Sequence, residues 1–134
     1  MKRMIVNKYG GPENLMLETM EAPITLPNYV RIKVSNIGVN FADTLVIRGR
    51  YQERPRPPFS PGLEISGEIT ALGRNVSEHK IGDLVMSIMK YGGYQSEIVV
   101  PSENTYKIWL HTTSIAERID IKNQKILELF FDQS

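Results

Sequence analysis

Period-two alternation of apolar and polar residues is the feature that most constrains the fold of this chain. It runs through residues 29–34 (YVRIKV) and 64–72 (EISGEITAL), and such alternation is typical of strands with one buried and one solvent-facing side. Further strand segments are bounded by Gly, Pro, Asn or Asp, which favour turns; they are residues 4–8, 15–21, 83–89 and 94–100. Six or seven short strands predict a mainly β fold, as a small barrel or sandwich.

One short helix interrupts this strand pattern. It is predicted over residues 41–48, because Asn40 can cap its first turn and Gly49 can close its last. The residues that follow, 50–62, are rich in proline and therefore predict an extended loop. Asn40 accordingly lies at a junction between a strand and a helix.

The pattern changes near the C-terminus, which divides the chain into residues 1–108 and a divergent tail, 109–134. From Thr112 onward the apolar residues recur at helical spacing, and Ser114 and Glu117 are placed as a capping box. The apolar positions are Ile115, Ile119, Ile126, Leu127 and Phe130. We therefore expect a C-terminal amphipathic helix in the tail.

Composition excludes several classes of protein. The 134 residues fit one domain, and 16 basic against 15 acidic residues give a net charge of +1, so neither a nucleic acid nor an anionic membrane is a predicted partner. The chain has no cysteine, which excludes disulfides and sulfur-ligated zinc. No apolar run near the N-terminus is long enough for a signal peptide or a membrane span, and the sequence predicts a cytoplasmic protein.

Three separated motifs carry the strongest functional signal: residues 38–43 (GVNFAD), 61–68 (PGLEISGE) and 82–85 (GDLV). In this order they resemble the amino-terminal, GroES-like domain of zinc-independent medium-chain dehydrogenases/reductases, in the quinone oxidoreductase (zeta-crystallin-like) branch. The resemblance extends over roughly residues 3–108 and implies a GroES-like, partly open barrel. Zinc-dependent relatives carry Cys where this chain has Asn40 and His where it has Leu63, so the resemblance implies no metal site.

The resemblance also implies a cofactor and a substrate class for complete relatives. These relatives reduce quinones or enones with NADPH, and the nicotinamide supplies the hydride. The resemblance places one helix start and one loop tyrosine against the cofactor; these residues are Asn40, Phe41, Ala42, Asp43, Thr44 and Tyr51. Since none of them donates a hydride, no catalytic residue is assigned.

Structural roles compete with these functional ones. An amide such as Asn40 can orient a carboxamide or a carbonyl, but it can also do no more than cap the helix, and Asp43 can simply favour the first turn. Glu64 is expected to be either a buried, hydrogen-bonded carboxylate that supports the cleft or simply a charge at a strand end. His79 and His111 are predicted to be exposed loop histidines.

No phosphate-binding fingerprint, Gly-x-Gly-x-x-Gly or Gly-x-x-x-x-Gly-Lys-Ser/Thr, follows any predicted strand. The resemblance places such a turn in a Rossmann domain, which we expect to be absent from this chain. The sequence therefore predicts a truncated NADPH-dependent quinone oxidoreductase-like protein that binds no cofactor tightly and is inactive alone. The tail is then either new coding sequence in a gene remnant or a selected cover for exposed surface.

The alternative is a non-catalytic interaction module. It would associate through the exposed interdomain face, either as a homo-oligomer or with a separately encoded Rossmann chain.

Overall fold

A computed structural model describes residues 1–108 of the chain. Within this range the elements are β1 (Lys2–Val6), β2 (Leu15–Thr19), β3 (Tyr29–Ile37), α1 (Phe41–Ile47), β4 (Glu64–Leu72), β5 (Leu84–Ile88), β6 (Glu97–Pro101) and β7 (Thr105–Lys107). Two short 3-10 helices cover Pro12–Asn14 and Ser102–Asn104. The predicted mainly β fold with one short helix is confirmed, and the predicted C-terminal helix lies outside the described residues.

The strands form two antiparallel sheets. β1 pairs with β2, and the larger sheet has the order β6-β3-β4-β5-β7. Isolated bridges from Arg3 to Gln95 and from Val6 to Phe59 join β1 to the rest of the fold. Over the described residues the sheets remain open and do not close into a continuous barrel, which agrees with a GroES-like domain.

The alternation in β3 and β4 builds the main core. Ile32 and Ile69 lie opposite each other in the two strands, and both are fully buried. Their neighbours in the core come from β5 and β6 and include Val85 and Val100. The predicted bounds of β4 are confirmed, whereas β1 begins and ends two residues earlier than predicted, because Lys2 already pairs with Thr19 of β2.

A second, smaller core lies beneath α1 and contains Val6, Val46, Ile47 and Phe59. The predicted loop 50–62 contains no helix and no strand apart from the bridge at Phe59. It is held by the Tyr9 hydroxyl, which donates to the Pro55 carbonyl at 2.6 Å. This anchoring fixes how the chain runs from α1 to β4.

One predicted exposed residue is buried, and that prediction was wrong. His79 is only 6 % exposed, and its Nε2 lies 3.3 Å from the Ser102 carbonyl oxygen. Its Nδ1 has no hydrogen-bond partner among residues 1–108. The polar neighbours in the sequence indicated a solvated loop, but packing near the 3-10 turn at Ser102 covers the ring. His111 lies outside the described residues.

Candidate functional site

The candidate site is built around the start of α1. Asn40 precedes the helix in an extended conformation, with φ −117° and ψ 154°. Its backbone NH donates to Asp43 Oδ2 at 2.8 Å, and the Asp43 NH donates back to the Asn40 carbonyl at 3.0 Å. The Asp43 carboxylate thus supplies one half of a capping box. The predicted helix start at Asn40 and its closure at Gly49, which has φ +67°, are confirmed.

Asp43 is almost completely buried, with an exposed fraction of 1 %. Tyr94 donates its hydroxyl to Asp43 Oδ2 at 3.0 Å. Oδ1 is buried and receives no hydrogen bond of normal geometry within residues 1–108. The nearby Gly62 backbone NH has only a small effect on the pKa of this carboxyl.

Burial is the main reason why the pKa of Asp43 is raised above its ordinary value. The Asn40 NH and the Tyr94 hydroxyl oppose this rise, and the charge of Glu64 adds to it. Burial also raises the pKa of Tyr94, as does the negative charge of Asp43. The phenol therefore keeps its proton at physiological pH and donates it in the hydrogen bond to Asp43.

Sequence reasoning missed the role of Tyr94 and treated it only as the start of a strand. Two features of the sequence could have indicated this role. A tyrosine buried in a strand needs a partner for its hydroxyl, and Asp43 is the one acidic residue of the helix 41–47. The two residues are 51 positions apart, so only the fold brings them together.

Gly62 allows the loop before β4 to pack closely on Tyr94. Its φ is +107°, and a Cβ at this position would lie 2.5 Å from the Tyr94 ring and 2.9 Å from the Gly93 Cα. The Tyr94 NH donates to the Pro61 carbonyl at 2.8 Å. A side chain at Gly62 would therefore displace the tyrosine that holds Asp43.

Glu64 connects the helix start to β4. It is exposed at the strand end, and its Oε1 accepts a hydrogen bond of 3.4 Å from Asn40 Nδ2. Its carbonyl accepts from the Gly38 NH at 3.1 Å. Glu64 is therefore an exposed charge at a strand end, and the alternative of a buried carboxylate was wrong, although its side chain does accept a hydrogen bond from Asn40.

The other predicted site residues occupy different environments. Phe41 is 80 % exposed, whereas Ala42 is half-buried. Thr44 donates its hydroxyl to the Phe41 carbonyl at 2.7 Å. Tyr51 packs partly buried against the smaller core. Phe41 is thus exposed to solvent, Asn40 is half-buried and Asp43 is buried.

Among residues 1–108, no group of three or more His, Cys, Asp or Glu side chains is placed to hold a metal ion. Leu63, next to Glu64, has a hydrocarbon side chain that cannot act as a ligand. In the same part of the chain, no helix is long and apolar enough to cross a bilayer.

The family model described as "Alcohol dehydrogenase GroES-like domain" matches residues 26–109. The chain belongs to this GroES-like family. It is 38 % identical over 110 residues to the quinone oxidoreductase of Lama guanicoe, covering 81 % of this chain and 33 % of that protein. It is 34 % identical over 106 residues to the synaptic vesicle membrane protein VAT-1 homolog of Danio rerio, covering 78 % of this chain and 22 % of that protein.

Solved structures give the same result. The GroES-like chain superimposes on the Escherichia coli quinone oxidoreductase complexed with NADPH with a TM-score of 0.79 at 27 % identity, covering 83 % of this chain and 34 % of the other. A human VAT-1 homolog-like protein also gives a TM-score of 0.79, at 32 % identity, covering 83 % and 35 %. The chain therefore spans about a third of the length of these two proteins.

The described residues of this GroES-like domain fit one part of a nicotinamide dinucleotide. An exposed aromatic ring at Phe41 and an amide at Asn40 suit a flat ring that carries a carboxamide. The diphosphate is not matched within residues 1–108, where α1 begins without a glycine-rich turn and the Asn40 NH is occupied by Asp43.

Proposed function

We propose that this domain forms the substrate-side wall of an NADPH-dependent, zinc-independent reductase cleft that accepts quinones or enones. The observation that carries the proposal is that the half-buried Asn40 and the exposed Phe41 lie next to the buried pair of Asp43 and Tyr94. Its similarity to the quinone oxidoreductase of Lama guanicoe and to the Escherichia coli quinone oxidoreductase complexed with NADPH supports the same activity. When bound, NADPH supplies the hydride.

Each side chain has a separate role in this proposal. The Asn40 amide orients the carboxamide or the reducible carbonyl, and Glu64 limits the rotation of that amide through the bond to Nδ2. Phe41 covers one face of the bound ring and excludes water. Asp43 does not reach the ligand; it is a positioning residue that holds the Asn40 backbone. Ala42, Thr44 and Tyr51 complete the proposed cofactor contacts.

A chimeric enzyme tests whether residues 1–108 can form the substrate side of a reductase cleft. Residues 1–108 of this chain would replace the matching segment of the Escherichia coli enzyme, and NADPH oxidation with a quinone acceptor would be measured. We expect activity in the chimera and a loss of about tenfold for Asn40→Ala, which corresponds to one hydrogen bond of roughly 1.4 kcal/mol. The exposed Gln52→Ala substitution is the control and should leave the rate unchanged. A folded chimera that is inactive, or equal rates for the two variants, would refute the proposal.

We further propose that the 134-residue polypeptide alone binds NADPH weakly and reduces nothing measurable, because the described residues do not match the diphosphate. Titration of NADPH fluorescence should show no saturation below millimolar protein. Steady oxidation of NADPH by the purified polypeptide with a quinone would contradict this proposal. The cytoplasmic location inferred from the sequence stays a prediction.

A second candidate function is a non-catalytic interaction module, and the exposure of Val39 and Phe41 on either side of Asn40 favours it. These side chains are 46 % and 80 % exposed, so a partner surface would bury them. The partner would be a second copy or a separately encoded Rossmann chain. Light scattering distinguishes these outcomes, since a strictly monomeric polypeptide that captures no such chain would count against this candidate.

A further inference from the structure

An uncovered apolar stripe runs along one face of the larger sheet. It consists of Leu84, Met86 and Ile88 of β5 and Tyr106 of β7, whose exposed fractions are 48 %, 38 %, 53 % and 54 %. Met86 and Tyr106 lie directly opposite each other in the register, so their side chains share this face. Single apolar residues on a surface are common, but a contiguous patch usually indicates an interface.

Two carboxylates border the stripe on one side. Glu64 of β4 lies opposite Ile88, and Glu68 lies opposite Leu84. Both glutamates are exposed; Lys33 of β3 lies opposite Glu68, whereas the register partner of Glu64 is the apolar Ile88. A segment that covers the stripe should therefore have an apolar face and a basic flank.

The chain leaves the described residues beside this stripe. The Ile108 NH donates to the Leu84 carbonyl at 2.8 Å, and residues 109–134 follow directly. A helix over residues 114–130 would be about 25 Å long, whereas a five-residue strand such as β5 extends about 16 Å. The tail thus starts at the correct place and is long enough to cover the stripe.

The tail sequence matches what the stripe requires. At helical spacing four of its apolar residues form one face: Ile115, Ile119, Ile126 and Phe130. Arg118, Lys122 and Lys125 follow i, i+4 and i+7 along one flank of that face. Glu117 and Asp120 belong to the opposite side of the same pattern. Docking of the apolar face on β5 can therefore bring the basic flank to Glu64 and Glu68.

We propose that residues 114–130 dock as an amphipathic helix on the stripe formed by Leu84, Met86, Ile88 and Tyr106. A second copy of the chain suits this surface less well. A twofold contact of stripe on stripe would bring Glu64 and Glu68 of both copies to one interface without a basic counterpart from the stripe. The docking requires neither a cofactor nor a catalytic activity.

Trypsin digestion of the full chain tests the docking, because its three basic flank residues are cleavage sites. We expect cleavage after Arg118, Lys122 and Lys125 to be at least tenfold faster in the double variant Met86→Gln/Ile88→Gln than in the native chain. The matched control is Met16→Gln/Ile24→Gln, which replaces the same two residue types at positions that are 56 % and 83 % exposed and lie outside the stripe. Both double variants keep the net charge, and the control rate should stay within twofold of the native rate. Equal rates in all three proteins would overturn the proposal.

Cysteine cross-linking gives a second readout that does not depend on the stability of a stripe variant. The chain has no native cysteine, so Met86→Cys combined with Ile119→Cys or with Ile126→Cys introduces one pair. At least one of these pairs should form an intramolecular disulfide when the dilute protein is oxidised. Met86→Cys with Gln124→Cys, on the polar side of the helical pattern, should give at least fivefold less. A disulfide that mainly joins two copies, or none in either pair, would overturn the proposal.

Discussion

Asp43 at the start of α1 and Asp83 at the turn before β5 make the same local hydrogen bonds. In each region, Oδ2 accepts from the backbone NH three residues earlier, at 2.8 Å from Asn40 and at 2.9 Å from Lys80. In each region the aspartate NH also donates to the carbonyl of that earlier residue, at 3.0 and 3.1 Å. The hydrogen bonds within these four residues are therefore the same for the two carboxylates.

The surroundings give the two carboxyl groups opposite pKa shifts. Asp43 is buried beside the neutral Tyr94 hydroxyl, and burial raises its pKa. Asp83 accepts from the Lys107 ammonium at 2.9 Å, and this bond is the largest cause of its lowered pKa. In both regions the bond from the capping NH lowers the pKa, but a larger influence decides the direction of the shift: burial at Asp43 and the Lys107 ammonium at Asp83.

Replacement of each aspartate by alanine should give the largest difference in stability between the two regions. Asp43→Ala removes half of the capping box and the bond from Tyr94 in a buried place, so we expect a loss of about 3 kcal/mol in the free energy of unfolding. Asp83→Ala should lose about 1 kcal/mol, because the ion pair with Lys107 is partly exposed. Urea denaturation measures both values. Equal losses would show that the local bonds dominate.

Removal of the Tyr94 hydroxyl should have the next largest effect. Tyr94→Phe keeps the ring in the core and deletes only the donor to Asp43, which should cost about 2 kcal/mol and raise the pKa of Asp43 further. Tyr106→Phe is the matched control, since that side chain is 54 % exposed, and it should change stability by less than about 0.5 kcal/mol. Similar values for the two variants would mean that the Asp43 bond contributes little.

The smallest predicted effect is on how the free energy of unfolding changes with pH. For Asp43 the folded pKa is raised, so its contribution to stability is fully present below the unfolded pKa of about 3.9 and is lost as pH rises through the folded pKa. For Asp83 the folded pKa is lowered, so its contribution is present above about 3.9 and is lost as pH falls through the folded pKa.

Asparagine variants measure these opposite signs. Relative to the native chain, Asp43→Asn should gain stability as pH rises from about 3 to 7, and Asp83→Asn should lose stability over the same range. Urea denaturation across this range provides the test, and two slopes of the same sign would contradict it.

Elements that depend on neighbouring residues were predictable. The alternation defined β4 at both ends, and Asn40 and Gly49 bounded α1 to within one residue. β7 was missed because three residues do not establish a period. The site residues Asn40 to Thr44 were named from the resemblance of one consecutive motif, and their contact with a cofactor stays a prediction.

Features that depend on distant contacts were not predictable. The support of Asp43 by Tyr94 crosses 51 positions, and the burial of His79 depends on Ser102, 23 positions away. The amino-acid order alone determined the strands, the helix cap and membership of the GroES-like family, because these follow from local periodicity and motif order. Which carboxylate is buried, and which side chains remain exposed beside it, was decided only by the tertiary structure, because desolvation and charge depend on all atoms nearby in space.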